Sequence, residues 1–210
     1  MAWCRVCHTR YDPDAPADTA RHRRLHDRVT RGLPRRPLAG ERVLWQGDGL
    51  RVTVVAPGAP RTQRRRVEEI ARIGAREMGY TGSPYSLREP PELKTHGFLG
   101  YRGARLAGVF LLALRPVEAV AEWVEGVEPD GVAPRKGWRA REPGKGTAWS
   151  VDFLWVAPRY RRTGLGRRIL TEAARYLGVP LPDLAWYPPF TAVGRRFIPA
   201  VSGPTFRVAR

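Results

Sequence analysis

Four side chains near the start of the chain have the types and spacing of a metal site. Cys4 and Cys7 flank two residues, and after fourteen intervening residues His22 and His26 flank three. A tight turn brings two such thiols to one point, and a helix presents histidines at i and i+4 on one face. Zinc takes thiolate and imidazole in a tetrahedron, so one structural zinc ion per chain is the expected occupant. His8 is a competing ligand by type. A redox role for the pair is disfavoured because no strand precedes Cys4. The plain alternative is two free thiols and two surface imidazoles.

A second constellation has the form Arg161-x-x-Gly164-x-Gly166, placed after a run of β-formers and before an amphipathic run. Glycines let backbone approach a ligand closely, and successive amides at a helix N-terminus cradle a pyrophosphate. Arg162, Arg167 and Arg168 add positive charge around it.

A third group contains carboxylates and a phenol. On the strand Thr147–Val156, alternation puts Ser150, Asp152, Leu154 and Val156 on one face. A carboxylate on an otherwise apolar strand is costly unless it is paired or put to chemical use. Asp152 is therefore either a general base or the partner of a nearby arginine. Glu172 reads as a solvated helix residue, and Tyr187 as a packing aromatic whose hydroxyl can also give up a proton.

These groups need elements to hold them. Asp18 is placed to cap the helix that carries His22 and His26. Arg42–Trp45 and Leu50–Val55 flank Gly47-Asp48-Gly49, a hairpin pattern. From Thr62 to Met78 the apolar period becomes helical, with Val67, Ile70, Ala71, Gly74 and Met78 on one face. Gly97–Tyr101 and Leu106–Leu114 form a second hairpin, and residues 125–147 read as a Gly/Pro-rich excursion. Leu165, Ile169, Ala173 and Leu177 mark a helix after the glycine turn. Short strands at Leu184–Tyr187 and Thr205–Val208 complete an α/β (α+β) pattern, a mixed sheet flanked by helices.

Composition bounds the rest. The 210 residues carry 37 Lys plus Arg against 20 Asp plus Glu, a net charge of +17. That excess attracts polyanions, including CoA, nucleic acid and acidic protein surfaces. Thirty-four of the cations are arginine, and with 22 Gly and 20 Pro this resembles the codon bias of a GC-rich genome. The longest apolar run, Leu106 to Leu114, is far too short to span a membrane. There is no apolar leader, and two cysteines do not make a disulfide scaffold. An intracellular setting follows, cytoplasmic or nucleoid-associated in a high-GC bacterium.

The stretch from Val156 through Arg161-Arg162-Thr163-Gly164-Leu165-Gly166 resembles the acetyl-CoA signature of the GNAT acetyltransferase superfamily. The head, with Tyr11 and Asp18 between its cysteines and histidines, resembles the C2H2 zinc finger that precedes the GNAT domain in the sister-chromatid cohesion acetyltransferases. Lys136-Gly-Trp138, Leu154-Trp155-Val156, Gly194–Phe197 and Ser202-Gly203 match as well. The resemblance implies a finger over residues 1–33, a linker over 34–40 and a GNAT domain over 41–210, with a mainly antiparallel sheet. Losing Cys7 is then expected to unfold the finger and leave the 41–210 domain largely intact. It implies acetyl-CoA as co-substrate and a protein lysine as acceptor. Leu154, Trp155 and Val156 would offer backbone groups to the pantetheine arm, and Arg161, Arg162, Thr163, Gly164, Leu165, Gly166 and Arg167 would wrap the pyrophosphate.

The catalytic residues do not carry over directly. The family's strand serine falls on Asp152, its helix glutamate falls on Thr171 with Glu172 one place late, and its catalytic aspartate has no counterpart near Tyr187. Asp152 is the expected base, beside Ser150, with Glu172 as a second candidate and Tyr187 as the acid for the leaving thiolate. Two other functions fit the same residues: a nucleic-acid-binding finger protein with a degenerate GNAT-like domain, and a GNAT acting on a small amine. The basic surface allows non-specific nucleic-acid contact in either case.

Overall fold

The computed structural model describes residues 1–80, 82–87, 94–124 and 137–210. It divides into two compact units, Met1–Leu111 with Phe153–Ala173, and Leu112–Asp152 with Ala174–Arg210.

The first unit opens with a small hairpin, β1 (Ala2–Cys4) and β2 (Thr9–Tyr11), and helix α1 (Pro16–Arg31). Strands β3 (Arg42–Gly47) and β4 (Leu50–Val55) then pair antiparallel across the Asp48-Gly49 turn. Helix α2 (Arg61–Glu77) follows, and β5 (His96–Arg102) returns antiparallel to β4. Strand β6 (Arg105–Trp123) lies beside β5, and β8 (Thr147–Val156) lies beside β6. Helix α3 (Leu165–Leu177) begins in this unit.

The apolar period read from Thr62 to Met78 explains α2, which buries Val67, Ile70, Ala71, Ile73 and Gly74. Gly74 has a further role: a Cβ there would lie 2.5 Å from Cγ of Trp155. Gly100 on β5 does the same for α3, since a Cβ would stand 2.4 Å from Cδ1 of Ile169. Two missing methyl groups thus seat the tryptophan of β8 and the helix after it.

The head is built into this core. Cys7, Val29 and Leu33 are fully buried in one cluster with Val67, Ile70, Leu99, Leu106, Leu111 and Trp155. Leu33 exchanges backbone hydrogen bonds with Leu106, each 2.9 Å. Glu41 is buried, and its carboxylate accepts from Tyr101 Oη (2.8 Å), Thr53 Oγ1 (3.0 Å) and the Leu38 amide (3.1 Å).

In the second unit the far half of β6 carries β7 (Trp138–Pro143) antiparallel on one side and β10 (Thr205–Ala209) antiparallel on the other. The short β9 (Ala185–Trp186) runs parallel to both β8 and β10. Helix α4 (Ala192–Ser202) is capped by Thr191, whose hydroxyl accepts from the Gly194 amide. Val117, Ala148, Ala185 and Ala209 form a small core.

The mixed, mainly antiparallel α/β architecture is the expected one. Three features differ in detail. The apolar run ending at Leu114 continues as strand to Trp123, through the alternation Val117, Ala119, Ala121. Part of the expected excursion is strand β7, while residues 125–136, Lys136 included, lie outside the described residues. The span Ala192–Ser202 is helical despite an internal Pro199.

Candidate functional site

The metal set is positioned by the β1/β2 hairpin and α1. One ligand atom from each of Cys4, Cys7, His22 and His26 lies within 4.8 Å of the others. Cys4 Sγ is 3.4 Å from Nδ1 of His26. Nε2 of His22 is buried and has no hydrogen-bond partner among the described residues, while Tyr11 stacks on the ring at 3.9 Å. An orphaned buried imidazole nitrogen beside two thiols is the chemistry of a metal ligand, and the set suits tetrahedral zinc. Burial raises the Cys4 thiol, but the Cys7 backbone and the neighbouring His22 and His26 rings bring it down to about 6. Burial pushes the Cys7 thiol up. His8 is not in this cluster; its ring meets Trp3 edge-on. Asp18 is not the helix cap either: α1 starts at Pro16 after Ala15, and the Asp18 carboxylate reaches back to the Asp12 amide at 2.6 Å.

The glycine turn joins β8 to α3 through a short 3-10 turn, Pro158–Tyr160. Arg162 and Gly164 both have left-handed backbone, with φ of 62° and 83°. Thr163 Oγ1 donates to the Tyr160 carbonyl at 2.7 Å. The first bond of the α3 ladder runs from the Arg168 amide to the Gly164 carbonyl at 2.9 Å. The amides of Leu165, Gly166 and Arg167 therefore stand ahead of the ladder, with no acid in the first turn to occupy them.

Arg161 differs from its neighbours. Its Nη2 donates to Glu77 Oε2 at 2.6 Å and its Nε donates to the Val156 carbonyl at 2.9 Å. The same Glu77 oxygen accepts from the buried Trp155 indole at 3.2 Å. The last residue of α2 thereby ties the cofactor-type strand to its turn. Sequence reasoning did not find Glu77. The available signal was a buried indole N–H that needs an acceptor. Glu77→Ala removes the acceptor of both donors and is expected to lower the unfolding free energy by about 1–3 kcal/mol in urea titrations.

On the face opposite Trp155, Ser150 is buried, and Asp152, Leu154 and Val156 are half-buried. Arg115 grips one carboxylate oxygen of Asp152, Oδ2, from Nε at 3.0 Å and Nη2 at 2.7 Å. The other oxygen, Oδ1, and Ser150 Oγ are both buried without a hydrogen-bond partner among the described residues. Burial raises the Asp152 carboxyl above its ordinary range, and Arg115 works against that rise. The Arg115 guanidinium also sits 5.4 Å over the Tyr187 ring. Tyr187 is exposed, with its amide donating to the Val151 carbonyl at 3.2 Å. Arg115, the residue just past the apolar run, thus brings Asp152 and Tyr187 to one cation. The arginine partner weighed for Asp152 is present, and it leaves one oxygen unused.

Glu172 is not the solvated residue expected. It is buried in α3 and paired with Arg168 at 3.2 Å, whose guanidinium lies 4.2 Å over Trp45. Phe197 is a packing residue, edge-on to Trp186, whose indole donates to Ser202 at 2.9 Å. No helix among the described residues is long and apolar enough to cross a membrane.

Residues 76–178 match the Acetyltransferase (GNAT) family. The chain is 24% identical over 177 residues to a curated protein named N-acetyltransferase ESCO2 from Danio rerio. That match covers 81% of this chain and 28% of the relative, so the chain spans less than a third of that protein's length. Among solved structures it is similar to the xEco2 acetyltransferase domain, with a TM-score of 0.65 and 20% identity, covering 83% of this chain and 98% of that one. It is similar also to the same domain bound to a CoA conjugate, with a TM-score of 0.62 and 21% identity over 81% and 97% of the two chains.

Proposed function

Because residues 76–178 match the Acetyltransferase (GNAT) family, we propose that the chain transfers the acetyl group of acetyl-CoA to a lysine amine of a protein. The observation that carries this reading is the turn between β8 and α3, where two left-handed residues lead into a helix whose first three amides stand ahead of its ladder and whose first turn holds no acid. Such a terminus is complementary to pyrophosphate. Arg162, Thr163, Gly164, Leu165, Gly166 and Arg167 would hold the phosphates, and Leu154, Trp155 and Val156 the pantetheine arm. Arg161 acts from behind, fixing the turn through Glu77 and Val156.

Acetyl-CoA supplies the thioester. The incoming lysine must lose a proton to attack it, and Oδ1 of Asp152 is the unused buried acceptor for that proton. Arg115 holds the carboxylate in one orientation, Ser150 lies on the same face, and the Tyr187 hydroxyl is the donor for the departing thiolate. Glu172, tied to Arg168, is the second candidate for the base.

Cys4, Cys7, His22 and His26 would hold one structural zinc ion, supported by the orphaned His22 nitrogen and the two thiols. An intracellular, reducing setting keeps those thiols available for the metal. We assign residues 1–33 to the finger, 34–40 to the link and 41–210 to the acetyltransferase region. Nucleic-acid contact is favoured by one feature: Arg21, Arg24, Arg28 and Arg31 are exposed at i, i+3, i+7 and i+10 on α1. Salt-dependent DNA binding without turnover would move the reading there.

The direct test incubates the protein with labelled acetyl-CoA and a proteome lysate, and reads acetylated lysines by mass spectrometry. Label only on small amines, or no label, overturns the protein-lysine reading. Gly164→Val tests the cofactor turn. A branched residue at φ 83° is strained, and its side chain stands where phosphate must approach. Calorimetry is expected to show CoA affinity falling by about tenfold or more, equivalent to about 1.4 kcal/mol; unchanged affinity rejects the site.

A further inference from the structure

Helix α2 presents Arg61, Arg64, Glu68 and Arg72 at i, i+3, i+7 and i+11, one row along its length. With Ser86 and Leu87 from the segment after the helix, they line an open cavity of about 450 Å³. Three guanidiniums against one carboxylate leave this lining cationic. Glu68 is engaged by Arg72 at 2.8 Å, and among the described residues Arg64 donates from its Nε to the Ala59 carbonyl at 3.2 Å. Arg61 and Arg72 are exposed, and a guanidinium has five N–H donors, so among the described residues most of the donor capacity of the row is unspent.

We propose that this cavity docks acidic side chains of the acceptor protein, an inference that rests on the protein-acetyltransferase reading. The size of the cavity admits a few side chains and no duplex. Planar guanidiniums match carboxylates in bidentate fashion, and Leu87 offers an apolar wall to the methylenes of a glutamate. The row is also tied to the chemistry. The far end of α2 is Glu77, which holds Trp155 and Arg161 of the strand and turn assigned to acetyl-CoA. From Arg61 to Glu77 the helix rises about 24 Å, a length that an extended peptide covers in about seven residues. Acidic residues within about ten positions of the acetylated lysine are the selected feature.

The test uses the full chain and two lysine peptides, one with a glutamate cluster in that window and one with glutamines there. Wild-type protein is expected to show a KM about tenfold lower for the glutamate peptide, with kcat alike for the two. In the double variant Arg61→Glu, Arg72→Glu that preference disappears or reverses, while circular dichroism and acetyl-CoA affinity check that it folds. Equal KM values in wild type, or a preference retained by the variant, overturn the proposal. Anisotropy of the labelled glutamate peptide gives the same comparison without turnover, so a protein that acetylates neither peptide still tests the cavity. Displacement of that peptide by single-stranded DNA, at a site lost in the variant, would reassign the cavity to nucleic acid and overturn it.

Discussion

Replacing Asp152 by asparagine is expected to lower acetyl transfer by about 10²–10⁴-fold, the usual range for loss of a general base, while acetyl-CoA affinity stays as it is. Asparagine keeps the shape and can still accept from Arg115, so the loss isolates the proton acceptor at Oδ1. The pH profile gives the sign. Burial raises the Asp152 carboxyl, with Arg115 opposing it, so the base is ionised only above a pH higher than the ordinary carboxylate range. Activity should therefore fall as pH drops through that raised value. Arg115→Gln removes the opposing cation and is expected to move the acidic limb to still higher pH. The deficit of the asparagine variant should shrink at alkaline pH, where the amine loses its proton unaided. Near-normal turnover of the variant at neutral pH would transfer the role to Glu172 or to a water chain.

Cys7→Ser is the second large effect. Structural zinc in small fingers is worth about 10–16 kcal/mol of apparent binding free energy at pH 7, comparable with the whole stability of a domain. The expectation from sequence was that the damage would stop at the finger. The packing argues otherwise, because Cys7, Val29 and Leu33 share one core cluster with α2, β5, β6 and Trp155. The variant is expected to lose its zinc, measured by metal analysis, and to melt as a whole first unit at lower temperature. A chelator should act in the same way on the unaltered protein. Wild-type protein purified without chelator and free of zinc would overturn the metal assignment. A variant with unchanged melting of residues beyond the finger would overturn the shared core.

The parts legible in the sequence were those with a short, rigid chemical grammar. Cysteine and histidine spacing marked four side chains that the structure gathers within 4.8 Å, and the Gly164-x-Gly166 turn lies between the strand and the helix read around it. Strand β8 and helix α2 were readable because their apolar periods are unbroken. The second half of β6 was missed because Arg115, Pro116 and Glu118 interrupt the apolar run, although Val117, Ala119 and Ala121 keep the period of two. Strand β7 lies at the end of a Gly/Pro-rich stretch and is defined by its pairing with β6, a long-range fact. The site residues that escaped notice, Arg115 and Glu77, act through partners 37 and 84 positions away. Nothing local marks such residues. Only the rule that buried donors and charges need partners points to them.

The first unit is discontinuous, closing only when Phe153–Ala173 joins Met1–Leu111. During synthesis the ribosome must therefore deliver the 41 intervening residues before that core can close. At about 5–20 residues per second this leaves an interval of about 2–8 s in which α2, β5 and the start of β6 lack Trp155 and α3. Gly74 and Gly100, whose purpose is to receive those side chains, would then face an empty seat. Nascent chains paused in that window should be the ones that engage chaperones, and slow codons between 112 and 152 should lower the soluble yield.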